Sequence, residues 1–290
     1  MWEVIADALL DTLKVFPFLL LIYVLIEILE HRTSLTQNQK ILQGDLAPLI
    51  GSATGIIPQC GFSVMAAKLY DKGLIRTGTL LAVFIATSDE ALIIMLSELS
   101  SAGSIMPLIL IKLFIAVGVG YLVNLILSNE KLSEMGLTGD IRAHSCGADH
   151  GGKSDLYIYF VSPLLHTLKI ALYLLIINLV FGFIIEAVGP DAITEAMIGG
   201  AYLQPLITAL IGLIPNCASS VILTGAYING GILFGSLVCG LCTNAGLGLV
   251  VLLKNTKKLK RNILLIVTMY VIAVIAGIAV NGIMSLCGMI

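Results

Sequence analysis

Of 290 residues, 58% are hydrophobic and 12% charged, and the formal net charge is −2. A soluble domain carries roughly 25% charged residues, so this chain, with a mean hydropathy of +1.02, lacks the polar coat of a water-soluble globule. It reads as an all-α integral membrane protein with lipid as its surroundings, and nothing in its charge suggests a nucleic-acid partner.

In chain order, the N-terminal stretch is acidic (Glu3, Asp7, Asp11) and has no Lys or Arg before Lys14. A cleaved leader wants a basic start, so none is expected. The first apolar run is 12–30, close to the 20 or so residues that a bilayer core requires. The second, 46–69, is interrupted at GIIPQCG. Pro58 there removes a backbone donor and crowds the preceding turn. The third, 74–97, reads as a continuous span with Thr87-Ser88-Asp89-Glu90 at its middle, and the fourth is 104–128. A polar linker, 129–160, separates this first repeat (1–128) from a second (161–290). The second repeat holds runs 162–187, 201–226 (interrupted at GLIPNCA), 230–253 and 262–288.

The two repeats are one motif written twice. Without a gap, at an offset of 157, Pro48, Gly55, Ile57, Pro58, Cys60, Ser63, Val64, Tyr70, Gly73 and Gly78 recur as Pro205, Gly212, Ile214, Pro215, Cys217, Ser220, Val221, Tyr227, Gly230 and Gly235. Gly120 and Asn124 recur as Gly277 and Asn281. Duplication with polar, Pro-broken centres in an apolar chain marks a transporter.

Loop charges orient the repeats. The stretch KNTKKLKR at 254–261 is cytoplasmic, and 187–200, with Asp191 and Glu195 and no cation, is outside. Two runs lie between loops on opposite sides, so one run must turn back. Lys68, Lys72 and Arg76 hold 68–76 inside, like 31–45, whereas YINGG at 227–231 is uncharged. The runs that enter and return are therefore 46–69 and 201–226, each a Pro-broken helical hairpin. Each repeat has five segments, and an odd count inverts the second repeat. Both termini then fall outside and the linker in the cytoplasm, in a multi-pass plasma (inner) membrane protein. Eight plain spans in parallel repeats are the alternative, at the cost of one connection placed against its charge.

The hairpin tips hold the first candidate site. A broken helix exposes carbonyls on one arm and N–H groups on the next, tolerated in a bilayer only where protein or a wet cavity satisfies them. Pro58, Gln59, Cys60 and Ser63 from one tip, and Pro215, Asn216, Cys217, Ser219 and Ser220 from the other, form a substrate-binding set with Thr243 and Asn244. The Gln59 and Asn216 amides suit a cation through oxygen or an anion through nitrogen. Cys60 and Cys217 offer two soft thiolates, short of a tetrahedral site alone; the alternative is small residues packing at a crossing.

Thr87, Ser88, Asp89 and Glu90 are the candidate ion or proton path. An ionisable residue at that depth costs on the order of 3 kcal/mol on insertion scales. Asp89 and Glu90, with Cys60 and Cys217, are also the candidate metal ligands. The structural alternative for the acidic pair is an ion pair with Lys112. The second repeat places Gly246 and Leu247 where the first has Asp89 and Glu90, so the charge is one-sided. Asn124 and Asn281 read as interhelical hydrogen-bonders. Lys14 and Lys169 read as snorkelling residues. Cys239-x-x-Cys242 lies within an apolar span and reads as packing. His144, Cys146, Asp149 and His150 in the linker have ligand types at loose spacing. No oriented nucleophile and base stand out, so no enzyme is expected, and no cofactor. Homodimerisation is left open.

The pattern G-x-x-P-Q-C-G-F-S at 55–63, with A-T-S-D-E-A at 86–91, P-N-C-A-S-S at 215–220 and T-N-A-G at 243–246, resembles the ten-transmembrane putative heavy-metal exporter family. That family is related to ArsP-type organoarsenical permeases, and some of its members are described as manganese transporters. The resemblance covers nearly the whole chain and implies efflux of a metal or metalloid species; the acidic pair Asp89 and Glu90 adds the expectation of secondary transport coupled to protons. A passive channel, or a carrier of a small organic anion, would share the architecture.

Overall fold

A computed structural model describes residues 44–57, 60–87, 91–98, 102–127, 202–215, 217–254 and 258–287, together with helical residues scattered through 5–20 and 164–183. The described residues are all-helical, with five α-helices in each half. In the first half these are α1 (Ala47–Gly55), α2 (Cys60–Asp71), α3 (Thr77–Ala86), α4 (Ala91–Ser97) and α5 (Ile105–Ile126). In the second they are α6 (Leu203–Gly212), α7 (Cys217–Ile228), α8 (Phe234–Thr243), α9 (Leu247–Lys254) and α10 (Leu259–Leu286). Among the described residues, four stretches are long and apolar enough to cross a bilayer: Thr77–Ser97, Ile105–Ile126, Phe234–Lys254 and Leu259–Leu286.

The expected interruptions fall between α1 and α2 and between α6 and α7. With 9 and 10 residues, α1 and α6 reach about 15 Å at 1.5 Å per residue, half of a core about 30 Å thick. The arms of each interrupted run touch each other little. α1 packs mainly on α3 and α6 on α8, whereas α2 packs mainly on α9 of the other half.

The runs 74–97 and 230–253, read from the sequence as continuous spans, are each two helices. α3 stops at Ala86, where Thr87 turns extended (ψ 129°) and its hydroxyl donates back to the Val83 carbonyl at 2.8 Å. α8 stops at Thr243; Asn244 Oδ1 accepts from the Gly246 N–H at 3.1 Å, and Gly246 takes φ +51°. Side chains of this kind offer the backbone an alternative to the helical ladder, which is why each run breaks at its one polar cluster.

The duplication extends to geometry. α2 and α7 end alike: Gly73 and Gly230 both have φ +74°. Their N–H groups donate to Tyr70 and Tyr227, and the next residues donate to Leu69 and Ala226. That pairing is a Schellman cap, whose left-handed residue is naturally glycine. The halves also exchange contacts reciprocally: α9 lies on α2, and α4 on α7. Arg261 stacks 4.7 Å above the Tyr70 ring, and Ser104, its counterpart at the offset of 157, hydrogen-bonds Tyr227 at 2.9 Å. Exchange of i with j and j with i is the contact pattern of a two-fold relation.

The last helix of each half is pinned to the preceding broken span by the recurring asparagine, as acceptor in one half and donor in the other. Asn124 Oδ1 accepts from the Gly78 N–H at 3.0 Å, and Asn281 Nδ2 donates to Ser236 Oγ at 3.1 Å. The interhelical role expected of both asparagines is thus observed. A Cβ on Gly78 would strike the Gly120 carbonyl and Asn124 Oδ1, and one on Gly235 would strike Gly277 O and Asn281 Oδ1. Backbone cannot yield there, so Gly78→Ala and Gly235→Ala should each cost about 1–3 kcal/mol through overpacking. Gly118 and Gly282 meet nothing within 4 Å, and alanine there should be neutral or stabilising by up to about 1 kcal/mol. Thermal melts of the four variants in detergent check this contrast.

Candidate functional site

A layer of buried polar groups lies where the two broken spans meet the other half. Thr87, Lys112, Ser63, Ser219, Ser220, Thr243 and Asn244 are each at most 2% exposed. α9 approaches α2 so closely that a Cβ on Gly248 would lie 2.9 Å from both Cβ and O of Ser63. The sequence-predicted Ser63 is therefore beside the break at 244–246. In the reciprocal position, Ala91 opens α4 and is fully buried, as is Ser220 on α7.

Most of these hydroxyls have backbone partners. Thr243 Oγ1 reaches the Ala209 carbonyl at 2.8 Å, tying α8 to α6, and Ser219 Oγ reaches Ile214 O at 3.2 Å. Pro215 closes the non-helical turn that follows α6. Pro58, Gln59, Asn216, Ser88, Asp89 and Glu90 lie outside the described residues, as do the side chains of Cys60 and Cys217. The linker residues His144, Cys146, Asp149 and His150, and Lys14 and Lys169, also lie outside them. Among the described residues no group of three His, Cys, Asp or Glu side chains is arranged to hold a metal. Cys239 donates to the Pro205 carbonyl at 3.2 Å, and its Cβ lies 2.6 Å from where a Cβ on Gly277 would stand. Cys239 and Cys242 are buried free thiols, as the packing reading expects.

Lys112 is the residue whose importance the sequence understated. It is the one charged residue of α5, is 1% exposed, and its counterpart in the second half is Met269. Its ammonium donates to the carbonyl of Thr87 at the end of α3 and, at 2.9 Å, to that of Leu241 near the end of α8. The last four carbonyls of a helix have no partner within the helix, and helix C-termini attract cations. One ammonium thus serves both broken spans, one from each half. The available signal was a lone cation at the middle of run 104–128.

Hydrogen bonds to a charged group contribute about 1.5–3 kcal/mol each, so two of them offset the 3 kcal/mol or so that a lysine costs at mid-membrane. Lys112→Met, which copies the other half, should lower the melting temperature by leaving the Thr87 and Leu241 carbonyls dry and unpaired. A melting temperature that holds or rises would mean that burying the charge costs more than its bonds return.

Residues 1–151 match the model of the family described as "Putative, 10TM heavy-metal exporter". Comparisons with curated proteins and with solved structures gave no match. With just over half of its length matched, the chain belongs to that exporter family, a family of multi-pass membrane transporters.

Proposed function

We propose that the protein is a secondary active transporter that exports a metal or metalloid species by proton coupling, through a site near the bilayer midplane where the breaks of the two halves converge. The observation that carries this reading is the reciprocal packing of each broken span on the other half's α2 or α7, with the buried polar layer between them. Breaks of this kind pair carbonyl ends and N–H ends around one point, and carriers built from repeats use that arrangement to hold substrate.

In this mechanism Pro58, Gln59, Cys60 and Ser63 face Pro215, Asn216, Cys217, Ser219 and Ser220 across the site, with Thr243 and Asn244 on the neutral side. Thr87, Ser88, Asp89 and Glu90 form the charged side and take the proton or the cation. Asp89 and Glu90, with Cys60 and Cys217, are the metal-contacting set. Protonation of the acidic pair and binding of a cation then compete, which is the linkage a proton-coupled exporter needs. The halves, inverted relative to each other, rock around this point. The charge pattern supports the inversion: 68–76 carries Lys68, Lys72 and Arg76, and Lys258 and Arg261 at the start of α10 meet Asp71 and Tyr70 at that end, while 225–233 at the equivalent α7 end has no charge.

Asp89→Asn and Glu90→Gln should each abolish export while the protein still reaches the membrane. Unchanged flux in both would remove the acidic pair from the mechanism. Growth rescue across manganese, zinc, cadmium, arsenite and methylated arsenicals identifies the substrate. In the Cys60→Ser/Cys217→Ser variant, export of a soft thiophilic species should fall at least tenfold, with a hard divalent ion spared. Stimulation of efflux by substrate preloaded on the far side separates this carrier from a passive channel of the same architecture.

A further inference from the structure

The halves share a scaffold but not a filling. Between α1, α2 and α3 of the first half lies a cavity of about 140 Å³, lined by Ala47, Gly51, Phe62, Ala66, Leu69 and Thr79 among others. In the second half the position of Ala66 is Leu223, and that of Ala47 is Gln204. Leu223 is fully buried, and its Cδ1 lies 2.6 Å from where a Cβ on Gly240 would stand. Gln204 spans the remaining gap: Oε1 accepts from the Leu233 N–H and the Ser236 hydroxyl, both at 2.8 Å, and Nε2 donates to the Gly231 carbonyl at 3.1 Å. Ala66 and Ala47 are thus smaller than their counterparts, while Val83 stands where the second half has Gly240, and the first half keeps a cavity among them.

The first half also retains the polar group that Gln204 satisfies in the second. Ser236 corresponds to Thr79, which is 4% exposed and whose Oγ1 has no hydrogen-bond partner among the described residues. Such a hydroxyl is costly unless something bonds it. One helical turn nearer the basic end, the Nε of Arg76 is likewise buried without a partner. The α2 face that supplies Phe62, Met65 and Leu69 continues to Lys72. Lys258 meets Asp71 at 3.4 Å and Arg261 stacks on Tyr70 at that same end. On the other side, α1 turns Leu46, Leu49 and Ile50 outward, each at least 40% exposed.

We propose that this cavity is a binding site for an anionic phospholipid, present in the first half alone. An acyl segment occupies the cavity beside Ala66, at the position of Leu223 in the second half. The ester carbonyl accepts from Thr79 Oγ1, and the phosphate sits among Arg76, Lys72 and the cations that α10 brings alongside. The volume suits this occupant: an apolar cavity of about 150 Å³ holds a benzene-sized body, which is a stretch of one acyl chain and not a whole lipid. The order of contacts, apolar, then one hydroxyl, then cations, follows the order of groups in a phospholipid from tail to headgroup. Basic clusters next to membrane helices attract anionic headgroups, and the apolar α1 face opens the site to the bilayer.

The test uses the full chain, delipidated in detergent and titrated with phosphatidylglycerol or phosphatidylcholine, read by native mass spectrometry and by thermal melting. Wild type should bind one phosphatidylglycerol at least tenfold more tightly than phosphatidylcholine and melt higher with it. Ala66→Leu, which copies Leu223, should lose that binding. Thr79→Val, which keeps the shape of the side chain, should weaken it roughly fivefold, the worth of one hydrogen bond. Equal binding of the two lipids by wild type would overturn the headgroup assignment. Undiminished phosphatidylglycerol binding by a folded Ala66→Leu protein, or by Thr79→Val should Ala66→Leu fail to fold, would overturn the site.

Discussion

A helix that stops inside a lipid bilayer leaves carbonyls and N–H groups that water cannot reach, and the protein must supply their partners itself. The described structure is organised around that constraint. Both halves break their helices in the interior, and at the breaks after α3 and α8 nearby side chains bond the backbone: Thr87 to Val83, Asn244 to Gly246, Thr243 to Ala209. Lys112 goes further, because one ammonium meets carbonyls from both halves. Its positive charge also offsets the partial negative charges of two helix C-termini brought close together, which a neutral donor would not do.

The glycines complement this polar scheme. Close approach of backbones lets short polar groups reach across helices, as at Gly78 beside Asn124 and Gly235 beside Asn281. Small residues at helix contacts are the usual route to tight packing in a bilayer, where no hydrophobic force drives helices together. Gly55 and Gly212 show the same economy just before the α1–α2 and α6–α7 breaks. A Cβ on Gly55 would stand 2.7 Å from the Val83 carbonyl, and one on Gly212 would run into that of Gly240. The breaks are thus pressed against the spans that carry the polar layer, and substitutions there are expected to act on packing before they act on chemistry.

Much of this was legible in the sequence because the duplication constrains both copies at once. Helices end at Gly55 and Gly212 and resume at Cys60 and Cys217, around the prolines the sequence singled out, and Asn124 and Asn281 make the interhelical bonds their recurrence suggested. The breaks at Thr87 and Asn244 were not read, since an apolar run of about 20 residues carries the same hydropathy whether it is one helix or two. The signal was the local chemistry of T-S-D-E and T-N-A-G, where short polar side chains compete with the helical ladder and Gly246 admits a left-handed residue. Lys112 was visible only as a lone charge, because which carbonyls it meets depends on a crossing between α5 and α8 that no local pattern encodes. The exchange of α9 onto α2 and α4 onto α7 is hidden for the same reason.

The departures from the duplication are as instructive as the duplication. Three lie in the first half: the acidic pair at Asp89 and Glu90, the cation at Lys112, and the cavity left by Ala47 and Ala66. Their counterparts are Gly246 and Leu247, Met269, and the space-filling Gln204 and Leu223. The second half can therefore keep its shape by packing and neutral hydrogen bonds, as a rigid frame does, while the first concentrates ionisable groups and open volume. Electrostatic terms in a low-dielectric interior change by several kcal/mol on gain or loss of one charge, whereas dispersion contacts change little with protonation. The Lys112 bond to Leu241 joins that charged half to the second, alongside the packing of α9 on α2 and α4 on α7.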